Sequence, residues 1–257
     1  MRTLVTGASR GLGRSIALRL AADGHEILAH YKGSEEDAQS LLAEIESRGA
    51  RGRLVRFDVT KEDEVQGALL PLIAELGPVE AVVNNAGVTA NGYMAMLAAE
   101  DWRRVLAVNL DGFFFVTRTC LKGMFAKRAG RIVNIASLAG ERGNIGQVAY
   151  AASKAGLIGA TKALALEVAR WNVLVNAVSP GPLDIGMAAP VEVEAIRFCL
   201  PLCLADTCAA EAEIVVERPA MEMRCVDCGG VFVAEQRFTP CPACGGPGGD
   251  IVGGREM

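Results

Sequence analysis

Short β-branched apolar runs alternate with amphipathic stretches over about the first 180 residues, the pattern of parallel strands joined by crossover helices. The apolar runs predict strands at residues 3–6, 26–30, 52–57, 81–84, 131–135 and 173–178. Between them, helical periodicity predicts helices over 11–22, 34–48, 61–76, 99–109 with a continuation to about 127, and 149–170. Six strands with short connections predict an α/β fold built on a doubly wound parallel sheet. The pattern changes at residues 179–187, Ser-Pro-Gly-Pro-Leu-Asp-Ile-Gly-Met. A helix near 191–205 and a strand near 212–217 are predicted next. Beyond them lies a Gly-, Pro- and Cys-rich segment in which sheet-forming periodicity disappears and which cannot build an ordinary core.

Composition narrows the class. A chain of 257 residues, 51% hydrophobic and 22% charged, with 29 Gly and 10 Pro, is neither disordered, collagenous nor coiled coil. No uncharged apolar run approaches the roughly 18 residues of a membrane helix. Met1 leads into an apolar strand without the features of a signal peptide, so a cytosolic protein is expected. The net charge of -4 and the lack of a basic stripe argue against nucleic acid as the main partner.

Candidate chemistry begins at Thr6-Gly-Ala-Ser-Arg-Gly-Leu-Gly13, between the first strand and the first helix. Glycines at 7, 11 and 13 allow a tight turn and let backbone N–H groups approach a pyrophosphate at a helix N-terminus. The second strand ends His30-Tyr-Lys-Gly-Ser34, with no acid to meet a ribose 2′-hydroxyl. Lys32, with Arg10 from the turn, therefore favours NADP over NAD, unless both are merely solvated surface cations. Tyr150 and Lys154 stand at i and i+4 on one face of the last long helix. An ammonium beside a phenol is expected to lower the phenol pKa toward working pH, as a proton donor to a carbonyl requires. Ser137 follows the fifth strand at the carboxyl edge, where ligands of open α/β sheets bind, and its hydroxyl could hold the carbonyl oxygen.

Seven of the eight cysteines lie between Cys199 and Cys244, a clustering that points to metal in a cytosolic chain. Cys225-x-x-Cys228 and Cys241-x-x-Cys244, each with turn-forming Gly or Pro nearby, make two knuckles that can close a tetrahedral sulfur site. Four thiolates with no open position predict structural zinc; a redox role would need one pair in a βαβ setting. Residues 219–257 carry three arginines (Arg224, Arg237, Arg255) against five acids, which favours a protein contact or a purely structural role over nucleic acid. Cys199 and Cys203, with Cys208 beyond, read as buried helix cysteines.

Thr6 to Gly13, Asp58-Val59, Asn84-Asn-Ala-Gly87, Asn109, Ser137, Tyr150-x-x-x-Lys154 and Pro180-Gly181 together resemble the short-chain dehydrogenase/reductases, most closely the 3-oxoacyl-[acyl-carrier-protein] reductases. The resemblance covers about residues 1–187. It implies a Rossmann fold with Tyr150 as general acid, Lys154 holding the nicotinamide ribose and tuning Tyr150, Ser137 orienting the carbonyl, and Asn109 supporting a proton-relay water. It implies a cofactor site at Gly7, Ser9, Arg10, Gly11, Leu12, Gly13, Lys32, Asp58, Val59, Asn85, Ala86, Gly87, Tyr150, Lys154, Pro180 and Gly181, with Asp58 meeting the adenine. Hydride from NADPH would reduce a 3-oxoacyl thioester, on acyl carrier protein or coenzyme A, in a homo-oligomer. The chain departs from the pattern at Ile185, where the family has Thr, and after Met187, where the substrate lid and last parallel strand are not recognisable.

The remainder, about 190–257, is similar to the C-terminal part of HypA, the nickel metallochaperone of hydrogenase maturation. The resemblance rests on Val191 to Phe198, Ala212 to Pro219, the two Cys pairs and Gly253-Gly-Arg-Glu256. It implies a partial metallochaperone-like domain with a zinc ribbon at 222–247 held by Cys225, Cys228, Cys241 and Cys244. The family's N-terminal Met-His-Glu has no counterpart in Met1-Arg2-Thr3, and the only histidines, His25 and His30, flank a strand of the reductase part. The helix near 191 and the strand at 212–217 could replace the missing crossover beside the sixth strand. Two other expectations remain: a non-enzymatic zinc-ribbon protein of nickel-enzyme maturation, or a fusion with neither activity.

Overall fold

The computed structural model describes residues 1–181, 221–234, 240–246 and 249–253. The predicted helix at 191–205, the predicted strand at 212–217, Ile185, Met187, Cys199, Cys203 and Cys208 lie outside the described residues, as does the tail from 254. Over residues 1–181 the chain runs β1 (Arg2–Val5), α1 (Gly11–Ala22), β2 (Glu26–Tyr31), α2 (Glu35–Ser47), β3 (Gly52–Arg56), α3 (Glu62–Leu76), β4 (Ala81–Asn84), α4 (Ala99–Leu106), α5 (Gly112–Lys127), β5 (Gly130–Ile135), α6 (Leu138–Arg142), α7 (Val148–Val168) and β6 (Val173–Val178). The six strands pair in parallel in the order β3-β2-β1-β4-β5-β6. The order reverses between β1 and β4, and the crevice outside that switch point is where open α/β sheets hold their ligands.

Alternate strand residues enter opposite layers, because successive side chains of a strand point to opposite faces. Leu4, Leu28, Val82 and Ile132 join Val65 and Leu69 of α3, Val116, Cys120 and Met124 of α5 and Val168 of α7 in one core. Val5, Ile27, Ala29 and Val83 join Ala17 and Ala21 of α1 and Leu41 and Ile45 of α2 in the other. Arg2 closes the base of the sheet: its guanidinium donates to the carbonyls of Leu76 and Gly77, satisfying the C-terminus of α3.

Two departures from the expected elements bear on the site. The helix expected over 99–109 passes into its continuation through a π turn at Ala107–Asp111, where Gly112 N–H donates to the Ala107 carbonyl. A five-residue helix, α6, follows Ser137 directly, too short for periodicity to reveal, and Ser137 Oγ caps it by accepting from Ala139 N at 3.2 Å.

A second, separate sheet lies in the Cys-rich segment, where a zinc ribbon is expected although sheet-forming periodicity is lost. β7 (Met221–Cys225), β8 (Val231–Ala234) and β9 (Gly249–Gly253) form an antiparallel sheet in the order β8-β7-β9. Strands of four and five residues are too short to show alternation, and here the turns set the register: Gly229 and Gly245 take φ of +70° and +73° in two equivalent knuckles. Its buried residues include Met223, Cys225, Ala234 and Cys241.

One polar ladder crosses the large core. Asn84 Nδ2 donates to Thr117 Oγ1 (3.0 Å) and Asn134 Oδ1 (2.8 Å), and Asn134 Nδ2 donates to Thr161 Oγ1 (2.9 Å). It ties β4 and β5 to α5 and α7. Asn134→Ala leaves one amide hydrogen of Asn84 unpaired in the core, while Asn84 keeps Thr117 and Thr161 keeps the Leu157 carbonyl, and should lower stability by about 1–3 kcal/mol in urea unfolding.

Candidate functional site

The turn after β1 and the loop after β4 are built against each other. Thr6 Oγ1 accepts from Asn85 N (3.0 Å) and Ala86 N (2.9 Å), while Asn85 Nδ2 donates to the carbonyls of Thr6 (2.9 Å) and Gly7 (3.2 Å). A Cβ on Gly13 would collide with the Gly7 carbonyl and the Asn85 amide, so only glycine lets α1 start this close to the strand. Gly7 and Gly11 take φ of +64° and +56°. Arg10, the extended N-cap of α1, makes no side-chain cap bond, leaving the first-turn N–H groups of α1 directed at the crevice. Ser9 is buried in the turn, and Leu12 is half-buried behind it.

One feature of the cradle escaped the sequence reading. Gly7 N–H does not face a ligand; it donates to Nδ1 of His30 at 3.0 Å. His30 Nε2 lies 3.0 Å from the Phe57 carbonyl and must be the protonated nitrogen, so the ring is a neutral tautomer bridging β1, β2 and β3. Burial, opposed by the Phe57 carbonyl and by Asp58, lowers its pKa to about 4. His30 is thus a buried brace, where its position at a strand end had suggested a flanking residue.

At the carboxyl ends of β5 and β6, Ser137, Tyr150 and Lys154 converge. Ser137 Oγ uses one acceptor position on Ala139 N and turns its hydroxyl toward the Tyr150 phenol, whose charged form it favours. Leu138 N donates to the Pro180 carbonyl at 3.2 Å, which brings Pro180-Gly181 beside this turn. Lys154 is 4% exposed, its Nζ donates to the Ile135 carbonyl at 2.7 Å, and burial lowers its pKa to about 8. The tuning expected of Tyr150 is corrected here. Burial raises the phenol pKa, and only the Ser137 hydroxyl acts to lower it. Lys154 Nζ sits 5.6 Å from the Tyr150 ring centroid and is directed at a main-chain oxygen, so it does not offset the desolvation. A Cβ on Gly87 would lie 3.3 Å from Asn109 Oδ1 and 3.5 Å from Lys154 Nζ, so the loop after β4 runs in close contact with this group. Asn109 sits in the π turn, 2% exposed, with its amide on Val88 and Ser153.

At the other end of the crevice, Lys32 Nζ pairs with Asp58 Oδ2 at 2.6 Å. Against the raising effect of partial burial, hydrogen bonds from Lys32 and Thr60 hold the Asp58 carboxyl below its usual range. Lys32 is 68% exposed, so the pair is a weak, exchangeable one. Arg10 is exposed, and Val59 is buried against Gly112.

In the small sheet, Cys225, Cys228, Cys241 and Cys244 place all four Sγ atoms within 4.8 Å of one another, with Cys225–Cys244 at 3.5 Å and Cys228–Cys241 at 3.7 Å. A tetrahedral zinc with Zn–S near 2.3 Å sets its sulfurs about 3.8 Å apart, so the group fits such an ion. The knuckles repeat one bonding pattern: Gly229 N donates to Cys225 O and Cys225 N to Gly230 O, as Gly245 N does to Cys241 O and Cys241 N to Gly246 O. This set suits a thiophilic metal.

Residues 2–195 match the family model for short chain dehydrogenases. Residues 158–257 match a second model, described as hydrogenase/urease nickel incorporation, metallochaperone, hypA, so most of α7 and all of β6 lie within both. The 3-oxoacyl-[acyl-carrier-protein] reductase of Synechocystis sp. is 40% identical over 199 residues, 77% of this chain and 81% of the relative. The reductase of that name from Aggregatibacter actinomycetemcomitans is 44% identical over 182 residues, 70% of this chain and 75% of the relative. Among solved structures, an NAD+-bound xylitol dehydrogenase superposes with a TM-score of 0.67 at 36% identity, covering 70% of this chain and 69% of its own.

His30 gives the fold a titration of its own. The folded ring stays neutral down to about pH 4, whereas the unfolded side chain protonates near 6.5. Its contribution to stability is complete above pH 6.5 and is lost as pH falls toward 4. Between pH 7 and 5 the wild type should lose about 2 kcal/mol more than His30→Asn in urea unfolding.

Proposed function

The chain belongs to the short chain dehydrogenase family, and from that premise we propose that it reduces the 3-oxo group of an acyl thioester, on acyl carrier protein or coenzyme A, with NADPH as reductant. The observation that carries this reading is the convergence of Ser137, Tyr150 and Lys154 at the carboxyl edge, beside a glycine turn with free helix N–H groups. The cradle fits a nicotinamide dinucleotide. Ser9, Arg10, Gly11, Leu12 and Gly13 would hold the diphosphate, with Gly7 shaping the turn. Asp58 and Val59 would meet the adenine, and Asn85, Ala86, Gly87, Pro180 and Gly181 the nicotinamide side. Lys32, released from Asp58, and Arg10 would take the 2′-phosphate.

When bound, the cofactor supplies a hydride to the carbonyl carbon. Ser137, held in place by its cap to Ala139, would turn its hydroxyl from the Tyr150 phenol to the carbonyl oxygen of the bound substrate. Tyr150 is held protonated by burial and gives its proton to the developing alkoxide, which yields the 3-hydroxyacyl thioester. Lys154 would anchor the nicotinamide ribose; an ammonium turned toward the phenolate formed stabilises it. Asn109 would support a water on the proton path. We assign residues 1–187 to this reductase domain and 190–257 to a partial metallochaperone-like domain, in which the four cysteines would hold structural zinc. No helix among the described residues is long and apolar enough to cross a membrane, which accords with action in the cytosol on a carrier-borne substrate.

The match over 158–257 and the four-thiol cluster favour a second reading: a non-enzymatic protein of nickel-enzyme maturation. Turnover separates the two. With an acetoacetyl thioester, purified protein should oxidise NADPH in preference to NADH, Lys32→Ala should erase most of that preference, and Tyr150→Phe should lower kcat by about 10² to 10⁴. Loss of hydride transfer in the wild type would leave the maturation reading or an inactive fusion. Zinc assayed by a chromophoric chelator should be released on thiol modification at about one ion per chain. Cys228→Ser with Cys244→Ser should abolish binding while leaving NADPH oxidation unchanged.

A further inference from the structure

Ser153 lies on α7 one turn after Tyr150, is fully buried, and takes no part in the roles assigned above. Its hydroxyl makes two bonds. It donates to the Tyr150 carbonyl at 2.7 Å and accepts from Asn109 Nδ2 at 2.8 Å. Asn109 in turn holds the main chain of Val88 twice, with Oδ1 accepting from N at 2.9 Å and Nδ2 donating to O at 3.1 Å. Both amide hydrogens of Asn109 are thereby used, so its side chain keeps only acceptor capacity. A continuous path of bonds therefore runs from the loop after β4, through the π turn, to the one turn of α7 that carries Tyr150 and Lys154.

Such a pin matters because the surface of α7 is smooth near the site. Ala151 is only half-buried and Ala152, Ala155 and Gly156 are exposed, so none of them keys the reactive turn into the core, while Gly140 of α6 approaches so closely that a Cβ there would lie 2.7 Å from Ala155 N. Small side chains permit close approach but interlock weakly, so they do not by themselves fix the helix against rotation or sliding. A hydrogen bond of fixed direction does. We propose that Ser153 is a positioning residue, which with Asn109 sets the rotation and depth of the Tyr150–Lys154 turn against the loop that floors the cofactor. It touches neither substrate nor cofactor and acts through Tyr150. The proposal rests on the reductase reading for its kinetic consequence and on the geometry alone for its spectroscopic one.

The test compares wild type, Ser153→Ala, Ser153→Cys, Asn109→Ala and the Ser153→Ala/Asn109→Ala double variant. Ser153→Ala should lower kcat by about tenfold or more, because a misplacement of 1 Å costs about 10²-fold. KM for the thioester and Kd for NADPH should change by less than about twofold, and Ser153→Cys, which keeps a weak donor, should recover part of the loss. The double variant should be no worse than the poorer single one, since the two residues act as a unit. The second readout needs no turnover: the phenol of Tyr150, followed by ultraviolet difference titration against Tyr150→Phe, should shift its midpoint in Ser153→Ala. An unmoved midpoint, or losses in kcat and NADPH binding that fall together with thermal stability, would overturn the proposal. A shifted midpoint in a wild type that turns nothing over would uphold the positioning role and sink the reductase reading.

Discussion

The tie between Thr6 and Asn85 is the constraint on which the site depends. Thr6 Oγ1 accepts two main-chain N–H groups from the loop after β4, and Asn85 returns its amide to the carbonyls of Thr6 and Gly7. Two loops that flank the switch point are thereby welded into one floor. Gly13 can begin α1 against that floor only because it has no side chain. His30 braces the same turn from the other side by taking the Gly7 N–H. A polar crevice at the edge of a buried sheet is stable here because, among the described residues, its buried side-chain donors and acceptors already have partners before any ligand arrives.

Burial also shapes the reactive groups. Tyr150 and Lys154 both have their charged forms disfavoured, so the phenol is held as an acid and the ammonium is poised to lose its proton near neutrality. Their positions come from hydrogen bonds to main-chain atoms, Lys154 to Ile135 and Tyr150 through Ser153, which are anchored in the sheet and the π turn.

The two halves of the chain have different sources of stability. The reductase part buries two extensive apolar layers. The small sheet has strands of four and five residues and a few buried side chains, two of which are themselves cysteines. Cores of that size need a covalent or metal staple, which the four convergent thiols suit. The two family matches overlap on residues 158–195, so most of α7 and all of β6 belong to both patterns.

The six strands of the large sheet and their long helices were legible because each is a run of residues whose periodicity matches the geometry of its element. The glycines of the first turn and the spacing of the four cysteines were legible for a similar reason: local geometry admits few residue types there. What could not be read was anything set by partners distant in sequence. His30 looked like a strand-flanking histidine until Gly7 and Phe57 were placed on its two nitrogens. Lys154 looked like a partner for the Tyr150 phenol, but Ile135, nineteen residues earlier, holds its ammonium. Helix α6 and the π turn are shorter than any period that could announce them, and the ribbon was legible through its cysteine spacing and not through the pattern of its short strands. The sequence by itself determined which elements form and which chemical groups they bring to the carboxyl edge. Only the tertiary structure decided which atom each group satisfies, because the nearest acceptor is chosen by packing across the sheet, not by order along the chain.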